Sequence, residues 1–172
     1  LKFLDDDFSL SKSLLIKAQK IKEKSSNDKI YKNEKKYFDY LLKLLNWRNS
    51  QIIENNEFIN KKEIYVIGES HALVSHRINI TSVNGNFTCR SFLIQGCKQF
   101  HLGDTNINKF KTKFNNIFNS LPNSSEVLLC FGEIDCRLDS GIISHKNKYK
   151  HNDIYRLIKT TIKKKKEKEK ED

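Results

Sequence analysis

The chain has 172 residues, and its 32 Lys and Arg against 21 Asp and Glu give a formal net charge of +11. This length fits one ordinary domain with a small appendage, and no apolar run is long enough for a membrane span. Because Lys far outnumbers Arg, we interpret the charge as solvated surface and expect no nucleic-acid partner.

The cysteines carry no sign of a metal site. Cys89, Cys97, Cys130 and Cys136 have no C-x-x-C spacing, and no histidine pair has the spacing of zinc ligands. We therefore predict no metal and no cofactor, and a reduced, cytoplasmic setting. The first residues lack the pattern of a signal peptide, so we expect none. The sequence lacks Met, even at its first position, which leaves open that it is a fragment.

The leader, residues 1–60, has helical periodicity. Apolar stripes run through residues 10–21 and 31–47, and Ser9 is the predicted N-cap of the first helix. Two amphipathic helices predict a helical hairpin, the unit of many repeat arrays, although a plain helical leader fits the pattern as well. The hypothesis that a protein partner binds through this leader stays open. Residues 49–62 are polar and predict a linker.

A short β-branched run at residues 64–67 predicts a buried strand that stops at Gly68. Glu69, Ser70 and His71 follow directly. Glycine permits the tight turn, and the turn brings a hydroxyl to the carboxyl edge of the sheet, where open α/β folds bind ligands. Taken alone, the stretch also fits an ordinary strand followed by a polar loop.

The middle of the chain predicts a hairpin and a second strand that ends in glycine. Residues 77–89 alternate between apolar and polar on both sides of Asn84-Gly85, a strong signal for a tight hairpin turn. Residues 91–95 continue as a strand and end at Gly96.

A helix and a third strand complete the pattern. Residues 104–120 predict a helix that Pro122 ends, and residues 126–131 are the clearest signal for a buried strand in the chain. This strand runs into Gly132-Glu-Ile-Asp-Cys-Arg137. Alternating strands and helices favour right-handed crossovers between parallel strands, so the three loops after these strands should meet at one sheet edge.

We therefore predict an α/β fold of three layers with a mainly parallel sheet, preceded by the helical hairpin. The α/β domain is expected at residues 61–160, after the leader of residues 1–60. Residues 152–162 have the spacing of a further helix, and residues 161–172 form a charged low-complexity tail.

The three loops together resemble the SGNH/GDSL hydrolase superfamily. More closely, Gly68-Glu-Ser-His71 and Gly132-Glu-Ile-Asp-Cys-Arg137 resemble a branch with these signatures that is sometimes found behind tetratricopeptide repeats. The resemblance covers about residues 62–158. It implies a flavodoxin-like α/β/α fold and a serine esterase or acyltransferase-like activity on an acyl ester, with a glycan ester as the substrate class.

The resemblance also implies roles for single residues. Ser70 would be the nucleophile, and the backbone N–H groups of Ser70 and Gly96 would stabilise the oxyanion. Asp135 matches the last acid of the third block of the superfamily. Ile134 stands where the superfamily places an Asn donor, and Arg137 or His71 is the candidate replacement.

The general base is the larger departure from the superfamily. Its last block, Asp-x-x-His, supplies the base that takes the proton of the serine. After residue 137, the nearest pattern is Asp153-Ile-Tyr-Arg156, with Arg in place of His. Either the chain stops before this block or it is a degenerate member of the superfamily. The chain as given is an enzyme only if another group supplies the base.

Other interpretations of the same residues stay open. Glu133 and Asp135 are alternatively a carboxylate pair for acid–base chemistry or a metal, and Asp135 and Arg137 are alternatively a buried ion pair that braces the loops. Gly68 to Ala72 is also a near match to the nucleophile elbow of α/β-hydrolases. Finally, the same edge suits a non-catalytic module that binds a glycan or a protein.

Overall fold

The structure is a computed structural model, in which the chain divides into two units, residues 1–61 and 62–172. The residues that it describes are 2–24, 32–51, 62–104, 106–149 and 155.

Two helices make up most of the first unit. Helix α1 (Phe8–Lys24) and helix α2 (Lys32–Gln51) pack against each other. The prediction of Ser9 as the N-cap was wrong, because α1 begins one residue earlier. Asp7 precedes the helix, and its Oδ1 accepts a hydrogen bond from the N–H of Leu10 at 3.0 Å. Such a bond satisfies one of the unpaired donors at a helix start.

The apolar stripes of this unit are only partly buried. Leu15, Leu41 and Leu45 are buried, as the periodicity predicts. Leu14 and Trp47 belong to the same predicted stripes but are exposed. Each predicted apolar stripe therefore includes residues that the structure leaves exposed.

The described residues of the second unit form a four-stranded sheet in the order β2-β3-β1-β4. Strand β1 pairs in parallel with both β3 and β4, whereas β2 pairs antiparallel with β3. The predicted α/β class with a mainly parallel sheet is confirmed. The strands are β1 (Lys62–Gly68), β2 (Asn79–Ser82), β3 (Gly85–Leu93) and β4 (Glu126–Cys130).

The predicted hairpin is present, but its turn lies one residue earlier than expected. Ser82 pairs with Gly85, so that Val83 and Asn84 occupy the two turn positions. Gly85 begins β3 with a φ of 124°, which glycine adopts without the strain that a side chain would cause. Strand β3 ends at Leu93, two residues before the predicted end.

Helices connect the strands. The prediction of one helix over residues 104–120 was wrong at its start, because Asn108 caps α5. The Asn108 Oδ1 accepts from the N–H groups of Phe110 and Lys111 at 3.0 and 3.1 Å, whereas Asp104 lies in extended backbone. Helices α4 and α6 were not predicted. The α-helices with described bounds in this unit are α3 (Ala72–Ser75), α4 (Gln99–Gly103), α5 (Lys109–Asn119) and α6 (Ile142–Tyr149), and a short 3-10 helix spans Ile134–Cys136.

Strand β1 contributes to two apolar clusters on opposite faces of the sheet. Val66 packs with Ala72 of α3 and Cys89 of β3. Ile67 packs with Ile94 and with partly buried apolar side chains of α5. Successive strand residues point to opposite faces, so the connections after β1 and after β3 cover different faces. The order of the parallel strands therefore reverses between β1 and β4, where open sheets form a crevice.

Strand β4 is not the deeply buried strand that its composition predicts. It pairs only with β1 among the described strands, and Leu128 and Leu129 are 56% and 37% exposed. The central and most buried strand is β1, where Val66 and Ile67 have almost no exposed surface. An apolar run indicates a strand, but it does not indicate whether the strand lies at the centre or the edge of the sheet.

No helix within the described part of the chain is both long and apolar enough to cross a membrane. Several predictions lie outside the described residues. They are residues 52–61 of the predicted linker, the helix at residues 152–162 and the Asp153–Arg156 pattern, apart from Tyr155, and the tail at residues 161–172. The ends of the predicted linker at residues 49–62 were wrong, because α2 continues to Gln51 and β1 begins at Lys62.

Candidate functional site

Strand β1 ends at Gly68, a position where no larger residue fits. It lies beside Leu93 on one side and Cys130 on the other, and an added Cβ would come within 2.3 Å of the Cys130 carbonyl oxygen. After Gly68 the chain turns at once into α3. Ala72 N–H donates to the Glu69 carbonyl oxygen at 2.9 Å. The absence of a Cβ at residue 68 therefore lets the Ser70 loop start in close contact with β4.

Ser70 lies in this turn, between β1 and α3, and is half-buried. Its carbonyl oxygen accepts from Leu73 N–H at 3.2 Å, which fixes the backbone of the turn. His71 follows in helical backbone conformation and is exposed. The position of Ser70 at the carboxyl edge of the sheet is thus the one that the sequence predicts.

The loop after β3 reaches the same edge. Ile94 N–H donates to the Gly68 carbonyl oxygen at 2.7 Å, and Cys97 N–H donates to the Ile94 carbonyl oxygen at 3.1 Å. Gly96 lies within this turn with a φ of 71°, and a Cβ there would meet nothing within 4 Å. Glycine is therefore needed at residue 96 for its backbone conformation, and the space beside it is open.

The loop after β4 is joined to the Ser70 loop by two hydrogen bonds. Glu69 N–H donates to the Cys130 carbonyl oxygen at 3.1 Å, and Glu133 N–H donates to Glu69 Oε1 at 3.0 Å. Gly132 lies between these contacts with a φ of 114°, a conformation that favours glycine. The structure thus brings together the loops that carry Ser70 and Glu133.

Glu69 is the most deeply buried acid of this edge, with 1% of its surface exposed. Its Oε1 accepts the bond from Glu133, whereas its Oε2 has no hydrogen-bond partner in the described part of the chain. Burial raises the pKa of the Glu69 carboxyl, and the charge of Glu133 acts in the same direction. The backbone N–H groups of Glu133 and Ile134 and the charge of His71 oppose this shift, although the N–H of Ile134 does not come within hydrogen-bond geometry of Glu69 Oε2. Glu69 therefore carries a buried and incompletely satisfied carboxyl group.

Glu133, His71 and Arg137 form the exposed rim of the site. Arg137 Nε donates to Glu133 Oε1 at 2.9 Å, and Arg137 Nη2 donates to Glu133 Oε2 at 2.7 Å. This bond lowers the pKa of the Glu133 carboxyl. His71 Nδ1 lies 4.0 Å from Glu133 Oε2. The prediction of an Asp135–Arg137 ion pair was therefore wrong, because the guanidinium of Arg137 binds Glu133 instead.

Asp135 has a different environment from the other predicted site residues. It is 5% exposed. Its Oδ2 accepts from the N–H of Gln99 at 2.7 Å, and its Oδ1 accepts from the N–H of Phe100 at 3.5 Å. Asp135 thus binds the first backbone donors of α4 and holds this helix to the loop after β4.

Three side chains of this edge are close enough to share one ligand. One atom each from Glu69, His71 and Glu133 can be chosen so that all three lie within 4.8 Å of one another. The sequence analysis paired Glu133 with Asp135 as alternative ligands. In the structure, Glu133 instead joins Glu69 and His71, because Asp135 is bound to α4.

Glu69 is the residue that sequence reasoning missed. It stood in the predicted motif, but only Ser70 and His71 were assigned a role. The available signal was an acid directly after a strand-ending glycine, where the backbone is still paired with β4. A side chain at such a position enters the sheet edge instead of solvent.

Two further titratable groups near this edge, Cys97 and His76, have structural roles. Burial raises the pKa of Cys97 to about 12, so this thiol is not a nucleophile at neutral pH. His76 is buried, and its Nδ1 accepts from Ser91 N–H at 3.1 Å, which attaches the end of α3 to β3.

Comparison of the chain with protein-family models, with curated proteins and with solved structures finds no match.

Proposed function

We propose that residues 62–158 act as an SGNH-type serine esterase or acyltransferase-like domain on an acyl ester, with a glycan ester as the substrate class. The Ser70 hydroxyl attacks the acyl carbonyl while a general base takes its proton, and the alcohol of the ester leaves to give an acyl-enzyme. The N–H groups of Ser70 and Gly96 stabilise the negative charge that develops on the carbonyl oxygen. Activity depends on a group that supplies this base in place of the Asp-x-x-His block. The three-layer, flavodoxin-like arrangement is part of this proposal.

One observation carries the proposal. Ser70 follows β1 directly, beside the loop after β4, at the point where the order of the parallel strands reverses. Open α/β sheets bind their ligands in the crevice at such a point. A serine hydroxyl there has access to a bound acyl group, unlike a serine within a strand or on an outer helix face.

The turn at Gly96 supports the assignment of the oxyanion site. The bond from Ile94 to the Gly68 carbonyl holds this turn next to the end of β1. Open space beside Gly96 leaves room for a substrate oxygen. Backbone donors that are fixed before the substrate arrives stabilise an oxyanion without the cost of reorganisation.

The second candidate is a non-catalytic module that binds a glycan or a protein through the same edge. The observation that favours it concerns Asp135, the residue that matches the last acid of the third block. Both of its oxygens accept hydrogen bonds from the backbone of α4. An acid with this structural role does not require a catalytic site around it.

A serine-directed fluorophosphonate distinguishes the two functions. We expect it to label the folded chain at Ser70, as located by peptide mass spectrometry, and we expect Ser70→Ala to abolish labelling. Ser13→Ala is the matched control, because Ser13 is exposed on α1 in the first unit. A folded sample that stays unlabelled would contradict the hydrolase and favour the binding module.

A further inference from the structure

Glu69, His71 and Glu133 place three potential metal-ligand atoms close together. The three ligand atoms lie within 4.8 Å of one another. Zinc bonds of about 2.0–2.2 Å place tetrahedral ligand atoms about 3.5 Å apart, so the exposed side chains of His71 and Glu133 must close in by roughly 1 Å around an ion. The three side chains come from two loops, after β1 and after β4, and the bond between Glu133 N–H and Glu69 Oε1 fixes these loops relative to each other. This bond therefore holds together the two loops that carry the cluster.

Glu69 provides independent evidence for a ligand. Its side chain is almost completely buried, yet its Oε2 has no hydrogen-bond partner among the described residues. Buried polar groups are satisfied in the great majority of cases, and an unsatisfied carboxylate oxygen is costly to bury. The carboxylate with this unpaired oxygen is one of the three groups of the cluster. A bound cation would satisfy it.

We propose that Glu69, His71 and Glu133 bind one divalent cation of the borderline class, such as Zn²⁺. The imidazole nitrogen favours zinc and similar transition metals over Mg²⁺ and Ca²⁺, which prefer oxygen ligands alone. Three protein ligands leave a coordination position open for water or a substrate atom. His71 and Glu133 are exposed, so the ion has access from solvent.

Arg137 explains how Glu133 is held when the cation is absent. Its guanidinium binds both oxygens of Glu133 and so balances the charge of this carboxylate. Each carboxylate oxygen has a second lone pair, so Glu133 keeps acceptor capacity for a metal. The positive charge of Arg137 nevertheless opposes a cation at the same carboxylate. Removal of Arg137 should therefore strengthen metal binding, an effect that a purely structural role would not produce.

Cation binding does not depend on the proposed hydrolysis, because Ser70 is not one of the three proposed metal ligands. If both hold, a cation beside Ser70 is in a position to polarise an ester carbonyl as a Lewis acid. The two proposals fail separately. Loss of labelling in Ser70→Ala tests the nucleophile, and the same variant should bind the cation as the unchanged chain does.

Titration calorimetry of the full chain with ZnCl₂ tests the site. We expect one ion per chain, and we expect Glu69→Gln and His71→Gln each to weaken binding by at least about tenfold, the loss that even an outer-shell partner produces. We expect Arg137→Gln to tighten binding by about two- to fivefold, the range that an exposed ion pair contributes. Mg²⁺, added as MgCl₂, should bind far more weakly than Zn²⁺.

Two control variants exclude other zinc sites. Glu126→Gln removes an exposed acid at the start of β4, and Cys136→Ser removes the exposed thiol, a potential zinc ligand. Both should leave binding unchanged. If Glu69→Gln fails to fold, His71→Gln still decides the question, because His71 is exposed. Binding that survives His71→Gln or disappears in Cys136→Ser, or the absence of binding to the unchanged chain, would overturn the proposal.

Discussion

Two carboxylates are buried at the same edge of the sheet, and their surroundings differ. Asp135 is 5% exposed, and its oxygens accept from the N–H groups of Gln99 and Phe100. Glu69 is 1% exposed, and one of its oxygens accepts a single N–H bond while the other has no partner among the described residues. Asp135 is therefore satisfied by the fold, whereas Glu69 is not.

The difference separates residues that build the site from residues that are available to a ligand. A buried carboxylate with two backbone donors stabilises the element that supplies them, here the start of α4. A buried carboxylate with an unpaired oxygen lowers stability unless a ligand compensates. Both acids belong to the signatures that suggested a hydrolase, but only Glu69 has unused binding capacity.

The largest effect is expected from Asp135→Ala. The substitution leaves the N–H groups of Gln99 and Phe100 without their acceptor. We expect the free energy of unfolding of the second unit to fall by about 2–3 kcal/mol, the usual value for bonds to a charged group. Urea denaturation followed by circular dichroism measures it, since the only Trp, Trp47, lies in the first unit.

Asp139→Ala is the matched control, because Asp139 is an exposed acid four residues further along the chain. Its replacement should change the free energy of unfolding by no more than about 0.5 kcal/mol. Equal and small losses in both variants would contradict the role of Asp135 as a brace of α4.

Much of the sheet could be predicted because strands and turns leave local signals. The apolar run before Gly68 and the hairpin near Asn84-Gly85 were found from residue type and spacing alone. Position within the sheet was not, because Leu128 and Leu129 are as apolar as residues of the central strand. The starts of α1 and α5 were missed since Asp7 and Asn108 cap through side-chain bonds that depend on the exact backbone.

The location of the candidate site was also predictable, but the partners of its residues were not. Spacing predicted that the loops with Ser70 and with Glu133 would meet at one edge. Spacing could not predict that Arg137 would bind Glu133 instead of Asp135, because both acids lie close to Arg137 in the sequence. That choice depends on α4, a short helix that sequence periodicity did not predict.

Glu69→Gln should change stability in the opposite direction from Asp135→Ala. An amide at residue 69 removes a buried charge and its repulsion with Glu133, and its oxygen still accepts the Glu133 N–H bond. We expect the free energy of unfolding to rise by up to about 1 kcal/mol in metal-free buffer, since replacing poorly compensated buried charge is often stabilising. Urea denaturation with a chelator present measures this.

Added Zn²⁺ should reverse the order of stability, because an ion that binds only the folded chain stabilises it by an amount that grows with the logarithm of its affinity. The unchanged chain should gain stability with ZnCl₂, and Glu69→Gln should gain less. A variant that is less stable than the unchanged chain in metal-free buffer would show that Glu69 braces the loops as Asp135 does, which would remove the contrast between them.

The smallest effect concerns His101, on the helix that Asp135 caps. His101 Nδ1 accepts from Lys98 N–H at 3.0 Å, so this nitrogen is unprotonated in the fold. Burial, and then the charge of Lys98, lower the pKa of His101 below its ordinary value of 6.5. The charges of Asp135 and Asp104 act in the opposite direction, and the charge of Lys109 lowers the pKa further. The unfolded chain therefore takes up the proton first as the pH falls.

This contribution to stability is complete above pH 6.5 and is lost as the pH falls through the lower pKa of the folded chain. His101→Gln keeps an acceptor at this position but does not titrate. Between about pH 7.5 and pH 5.5, the unchanged chain should lose more free energy of unfolding than His101→Gln. An equal loss in both chains would mean that protonation does not disturb the start of α4, and the carboxylate of Asp135 would then hold this helix without help from His101.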